Sequence, residues 1–356
     1  MSIVDLPSLV AKLGRTERAS FDRLFEVVTS VGTLEPPAAM DEWLIQQFGS
    51  VAAVESQRIT RVTNRYTRES SLFNALRAQR PMQAPSLTNV RAEIEESRTG
   101  CLFCEPTRGT PADSFGRVKG RHALTASNVA KYDGFHGVLV FDEHDPLAPV
   151  DGDRLADYFE TARAWARCAN DVDGDARYYF LLWNVLYRAG ASLIHGHMQM
   201  TVARGSHYAR VEALRAVAAA YAGDYFEDVV AAHRALGLVR TVGGADVVAS
   251  LTPLKERELL FVAPATADAE APELALVPAL VEALRVYREE LGAVSWNLAL
   301  LLPPLRDVAE DWSSFRPHAR LVDRGAPTAK TTDIAAMELY AASVVASDPF
   351  KLIQLF

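Results

Sequence analysis

Two stretches of this chain step through the same succession of elements, and that repetition limits the fold more than any other feature. In the first, "HGVLVFDEH" reads as a strand, "GDRLADYFETARAWARCAN" as an amphipathic helix, and "RYYFLLWN" and "LIHGHMQMTV" as two further strands. In the second, "RELLFVAPA" is a strand, "LVPALVEALRVYREELG" a helix, and "VSWNLALLLPP" and "PHARLVDRG" two strands. Each round carries a Trp-Asn pair in its third element, Trp183-Asn184 and Trp296-Asn297. Two rounds of strand–helix–strand–strand predict an α+β fold built from a duplicated unit, with sheets and flanking helices.

The rest of the chain divides around these rounds. Residues 1–95 read as an N-terminal helical region with a basic segment: "SFDRLFEVVTSV" has helical spacing, and Asp41 is placed to cap a second helix. Within it "RITRVTNRYT" alternates as a strand, and the prolines of "RAQRPMQAPS" mark a boundary. Residues 96–212 then form the first unit, expected to be catalytic, and 213–356 a second, degenerate one. Between the rounds, "YARVEALRAVAAAYAGDYFEDVVAAHRALG" reads as two helices whose alanines are packing surface. Asn297 and His318 in the second round are equally readable as incidental polar residues.

Composition removes several function classes. The 356 residues are 49% hydrophobic and 23% charged, enough for a large core. A net charge of −8 gives no basic footprint for nucleic acid, so an anionic ligand must be met by local Arg and Lys. The first residues have no apolar run like that of a secretory signal, and no window is apolar for the length of a bilayer. A soluble, cytoplasmic protein with no membrane partner is therefore expected. There are three cysteines, and the spacing Cys101-x-x-Cys104 admits a redox pair, half of a zinc site, or two buried apolar thiols.

The chemistry concentrates in "GASLIHGHMQM". On a strand, His195, His197 and Gln199 line one side and Ile194, Gly196, Met198 and Met200 the other. Gly196 between the histidines lets another backbone approach closely. His122, His207 and His233 show no partner pattern and read as solvated, and His136 reads as a pocket-edge or core residue.

This segment resembles the His-x-His-x-Gln signature of the histidine-triad superfamily in its transferase branch. That branch includes galactose-1-phosphate uridylyltransferases and dinucleoside-tetraphosphate phosphorylases. The resemblance implies that His197 is a nucleophile forming a covalent nucleotidyl-imidazole, and that Gln199 holds a phosphoryl oxygen. Gln cannot act as a general acid, which suits transfer to a phosphate rather than hydrolysis. The resemblance also implies a structural zinc on Cys101, Cys104, His144 and His195. It matches Arg77 and Arg80 of "NALRAQRP", Asn128, Asn184 and Ser192 to contacts with the nucleotide and its phosphates, with Arg188 adding charge nearby. Glu338 matches a late-helix Glu, while the chain lacks the further C-terminal histidines of the uridylyltransferases. Relatives are often dimers, which makes a homodimer the family-level expectation.

These readings converge on a nucleotidyltransferase working through a covalent nucleotidyl-histidine. It would move a nucleoside monophosphate from a nucleoside-diphosphate-sugar-like donor to a sugar 1-phosphate or inorganic phosphate. The alternatives are a phosphorylase or hydrolase of dinucleoside polyphosphates or nucleotide sugars, and a zinc-braced nucleotide-binding protein without turnover.

Overall fold

The N-terminal region is less helical than its apolar spacing suggests. In the computed structural model, which describes residues 1–79, 87–327 and 332–356, helices Leu6–Ala11 and Arg15–Leu24 form. The second ends inside the "SFDRLFEVVTSV" run. From Phe25 the chain is extended as β1 (Phe25–Thr33), because Val27, Val28, Thr29 and Val31 are β-branched and fit a pleated surface better than a helix. β1 pairs antiparallel with β2 (Ser56–Asn64), and β2 with β3 (Ser70–Phe73). The segment Ser343–Val345 adds a parallel strand beside β3. The expected strand in "RITRVTNRYT" is β2; the helix expected across residues 20–31 gives way to β1.

The central sheet has nine strands among the described residues. The first unit supplies β4 (Ala123–Ser127), β5 (Phe135–Phe141), β6 (Ala176–Asn184) and β7 (His197–Arg204). The later chain supplies β8 (Val239–Val242), β9 (Ala245–Ala249), β10 (Glu256–Val262), β11 (Trp296–Leu301) and β12 (His318–Asp323). Their order is β4-β5-β7-β6-β11-β12-β10-β9-β8, and every neighbouring pair is antiparallel. Helix Gly152–Val172 packs on β4 to β7, helix Val277–Glu289 on β8 and β9, and the two helices touch. A buried Arg163–Glu273 ion pair ties the longer helix to the turn that leads into the shorter one. The two helices expected between the rounds are Ala209–Ala220 and Tyr225–Ala235. No helix among the described residues is long and apolar enough to cross a membrane.

The duplication is visible as register. Across β5 and β7 the partner of His197 is Val140 and that of Gln199 is Val138. Across β10 and β12, Val262 faces His318 and Leu260 faces Arg320. His318 and Arg320 therefore stand where His197 and Gln199 stand. Ahead of the round read from sequence, the first unit carries one strand, β4, and the second two, β8 and β9. The Trp-Asn pairs are not counterparts in this sense. Trp183-Asn184 closes β6 and Trp296-Asn297 opens β11, and the antiparallel seam sets Asn297 directly opposite Asn184.

The second unit's equivalent of the histidine face is filled. The His318 ring packs against Phe226 and Phe315, with centroids 5.2 and 5.4 Å away. The Arg320 guanidinium donates to Glu258 at 2.8 and 3.1 Å and to Glu69 at 2.7 Å. Glu69 comes from the turn between β2 and β3, so the N-terminal sheet closes this face.

Glu258 is 2% exposed, and burial pushes its carboxyl above the ordinary range. Arg320→Met leaves that carboxylate buried without its cation, at a cost of about 3–5 kcal/mol. Because a raised pKa means stability is lost as pH rises through it, the drop in urea midpoint should be larger at pH 8 than at pH 5.

Candidate active site and metal centre

Four side chains distant in sequence meet at one end of β7. Cys101 and Cys104 lie in a tight turn, closed by the Cys104 N–H on the Cys101 carbonyl at 3.3 Å. His144 follows β5, and His195 precedes β7. The His195 Nδ1 is 3.5 Å from Cys101 Sγ, 3.6 Å from Cys104 Sγ and 3.2 Å from His144 Nδ1, and Cys104 Sγ is 3.3 Å from His144 Nδ1. The four donor atoms all lie within 4.8 Å of one another. A tetrahedral zinc with bonds of about 2.0–2.3 Å needs donors roughly 3.3–3.8 Å apart, so the set fits a metal ion with four protein ligands.

The second ring nitrogens of both histidines are tied to backbone. His195 Nε2–H donates to the Phe141 carbonyl at 2.9 Å, and His144 Nε2–H to the Ile94 carbonyl at 3.1 Å. That fixes each proton on Nε2 and leaves each Nδ1 lone pair aimed into the cluster, the usual support for a metal-binding imidazole. Burial pushes His195 down to about 4, which keeps it neutral.

The nucleophile predicted from sequence is joined to this cluster by one residue. The Gly196 N–H donates to the His144 carbonyl and its own carbonyl accepts from the Phe141 N–H, both at 3.0 Å. A Cβ here would lie 2.8 Å from the Phe141 ring and 3.1 Å from the Glu143 carbonyl, so only glycine fits. This bridge delays the strand: β7 begins at His197, not at Leu193, and His195 sits in the bend ahead of it. The three polar residues consequently do not act as one row, since the His195 ring turns to the cysteines. His197 Nδ1–H donates to the His195 carbonyl at 2.7 Å. Its Nε2 therefore carries the lone pair, and burial holds the ring below its ordinary pKa. Phe103 stands edge-on to both rings, 5.8 Å from His195 and 5.3 Å from His197.

Gln199 accepts a hydrogen bond from His136, Nε2 to Oε1 at 2.9 Å. Asn128 lies in the same corner, its Nδ2 3.2 Å from His136 Nε2. Asn184 accepts from Asn297 Nδ2 at 2.6 Å, two residues beyond Leu182, the cross-strand partner of Gln199. Ser192 is exposed on the loop before His195. Arg188 turns toward the segment after β12, donating to the Arg324 carbonyl at 2.7 Å with Asp333 3.8 Å away. Arg77 lies in the short turn Ala75–Gln79, far along the chain from β7, and Arg80 falls outside the described residues. Glu338 accepts from the Ala335 N–H at the start of its short helix.

Two histidines read as solvated are buried, each 3% exposed. His207 meets the Tyr179 carbonyl and the Tyr208 N–H, and His233 the Val229 carbonyl and the Leu251 N–H. Backbone partners satisfy them, and no sequence spacing announces such partners. His136, Phe103 and Asn297 were not singled out as site residues either. The clue for His136 was its place on the strand beside Gln199.

Gly196→Ala should displace the bend and lower stability by about 1–3 kcal/mol, read as a fall in the urea midpoint.

Among solved structures the chain is similar to an ADP-glucose phosphorylase from Arabidopsis thaliana with bound ADP-glucose. The identity is 16% and the TM-score 0.60, over 82% of this chain and 95% of that one. It is similar also to an Arabidopsis protein described as like galactose-1-phosphate uridylyltransferase (16%, TM-score 0.56, 72% and 91% covered). A uridylyltransferase follows at 16% and TM-score 0.55, with 69% and 87% covered. No protein-family model and no curated protein matches the chain. The likeness is one of fold: the α+β arrangement of antiparallel sheets and flanking helices is shared with these phosphorylase and uridylyltransferase structures.

Proposed function

We propose that this protein is a nucleotidyltransferase that carries a nucleoside monophosphate on His197. The observation that carries the reading is the 2.7 Å hydrogen bond from His197 Nδ1–H to the His195 carbonyl. It commits the only proton of a neutral ring to the far side and leaves the Nε2 lone pair free to attack.

In the first half-reaction Nε2 forms a bond to the α-phosphorus of a nucleoside diphosphate sugar. The bond from phosphorus to the bridging oxygen breaks, and a sugar phosphate leaves with that electron pair. The leaving group needs no proton, which is consistent with an amide rather than an imidazole at Gln199. Positive charge appears on the ring as the bond forms, and the His195 carbonyl, already accepting from Nδ1, strengthens its hold. The Gln199 NH2 donates to a non-bridging oxygen, and the amides of Asn128 and Asn184 stand on the same side for the nucleotide and its phosphates. In the second half-reaction an oxygen of an acceptor phosphate attacks the phosphorus in line, and the phosphorus–nitrogen bond returns its electrons to Nε2. The fold neighbour that holds ADP-glucose supports this class of donor.

The donor set of Cys101, Cys104, His144 and His195 favours zinc. With all four positions filled by protein, a bound zinc would supply a structural tie to the bend at Gly196 and no contact with substrate.

Intact-protein mass spectrometry after mixing with ADP-, UDP- and GDP-glucose tests the covalent step. One nucleoside monophosphate should add to the wild type and none to His197→Ala, and inorganic phosphate should discharge the adduct far faster than water. Absence of an adduct from a folded, metal-loaded wild type with all three donors sinks the proposal. Elemental analysis should find one zinc per chain, and Cys104→Ser should lose it together with several degrees of melting temperature.

A further inference from the structure

Gln199 is useful to a transferring phosphoryl group only if its NH2, and not its carbonyl, faces that group. An isolated amide has no reason to choose, because its two ends are nearly the same shape. The surroundings of His136 make the choice. His136 is wholly buried, and its Nδ1 accepts the Tyr132 N–H at 3.0 Å. A backbone N–H can only donate, so Nδ1 carries no proton and the single proton of the neutral ring sits on Nε2. Nε2–H then donates to Gln199 Oε1 at 2.9 Å, and the amide has one orientation.

A flipped ring would lose both of these bonds. Tyr132 stacks on the ring at 4.2 Å between centroids and 28° between planes, and the backbone beneath is held because the His136 carbonyl takes the Asn128 N–H at 2.9 Å and Lys131 Nζ at 3.1 Å. The ten-residue segment from Ser127 to His136 is thus folded back onto its own last residue. Asn128 is set by its own turn and not by His136. Its Oδ1 accepts the Ala130 N–H at 3.0 Å, which leaves its NH2 as a donor. Against an Nε2–H, the 3.2 Å approach of the two nitrogens is a contact without a hydrogen bond. The second unit answers the same question differently: Glu258 on β10 holds Arg320 at the position of Gln199.

We infer that His136 is a positioning residue for the proposed transfer: held as the Nε2–H tautomer by the Tyr132 N–H, it sets the Gln199 amide with its NH2 toward the phosphoryl group. The inference rests on the covalent reading of His197, and its test separates the two. The rate of nucleotidyl labelling is measured by quenched-flow mass spectrometry, using whichever of ADP-, UDP- or GDP-glucose labels the wild type. His136→Ala and Gln199→Ala should each slow labelling about tenfold to a hundredfold, with little change in donor KM. The double variant should be no slower than Gln199→Ala alone, because an unset amide and a missing amide fail in the same way. His136→Gln, whose terminal NH2 can replace Nε2–H, should recover most of the rate, and His136→Asn, whose amide is too short, should not.

Multiplicative losses in the double variant, or equal losses in His136→Gln and His136→Asn, overturn the positioning role. A melting temperature held near wild type in His136→Gln guards against a folding artefact. If Gln199→Ala labels at the wild-type rate, the role given to Gln199 falls, and with it this inference. If no donor labels the wild type, the covalent reading itself fails first.

Discussion

The hydrogen bond between the His197 ring and the His195 carbonyl is the point on which the site turns. A ring nitrogen and a carbonyl two residues apart are brought to 2.7 Å by a backbone that has no freedom to be elsewhere. On one side His195 is committed to three other donor groups and to the Phe141 carbonyl; on the other His197 begins a strand paired on both edges. Gly196 joins the two with its own N–H and carbonyl spent on β5 and the bend that follows it. The tautomer of His197 is thereby a property of the backbone path, and the Cys101, Cys104, His144 and His195 cluster acts on it by fixing that path rather than by touching the ring.

The same backbone device appears in both units. His318 Nδ1–H donates to the Arg316 carbonyl at 2.9 Å, again two residues back along the chain. What differs is what lies over the ring. Beside His197 lie Gln199, two residues along the same strand, and Phe103, whose ring is edge-on to it at 5.3 Å. Above His318 are Phe226 and Phe315, and beside it a partly buried Arg320 neutralised by Glu258 and Glu69. Local geometry at a histidine is therefore insufficient for chemistry; the packing of a separate part of the chain decides whether the face stays available.

The legible part of this protein was the part encoded over short distances. Period-2 and period-3.6 patterns pointed to the strands and helices of both rounds, while the Cys101-x-x-Cys104 spacing alone left redox, zinc and apolar readings open. The full cluster and the candidate nucleophile came from the resemblance carried by His195-x-His197-x-Gln199. The illegible part depends on pairing across the sheet. Glu69 meets Arg320 across 251 positions, and nothing near Glu69 in sequence marks it. The strand character of Val27 to Val31 was hidden because its apolar residues also satisfy helical spacing. The Trp-Asn pairs looked like evidence of repetition, yet the register makes them neighbours across the seam. His136 was visible as a residue but not as a partner of Gln199, because that contact lies diagonally across two strands.

The filled face of the second unit also bears on history. If the two units descend from one ancestor, each once had a histidine on an accessible strand. Restoring that access now would require removing Phe226 and Phe315 and unpairing Arg320 from two carboxylates. Each such step alone opens a cavity or strands a charge, at several kcal/mol apiece. No single substitution offers a partial gain, so selection has no gradual path back. The asymmetry between the halves is in that sense a ratchet: with the N-terminal sheet packed over the second face, the β12 histidine is closed off by several interactions that would all have to go together.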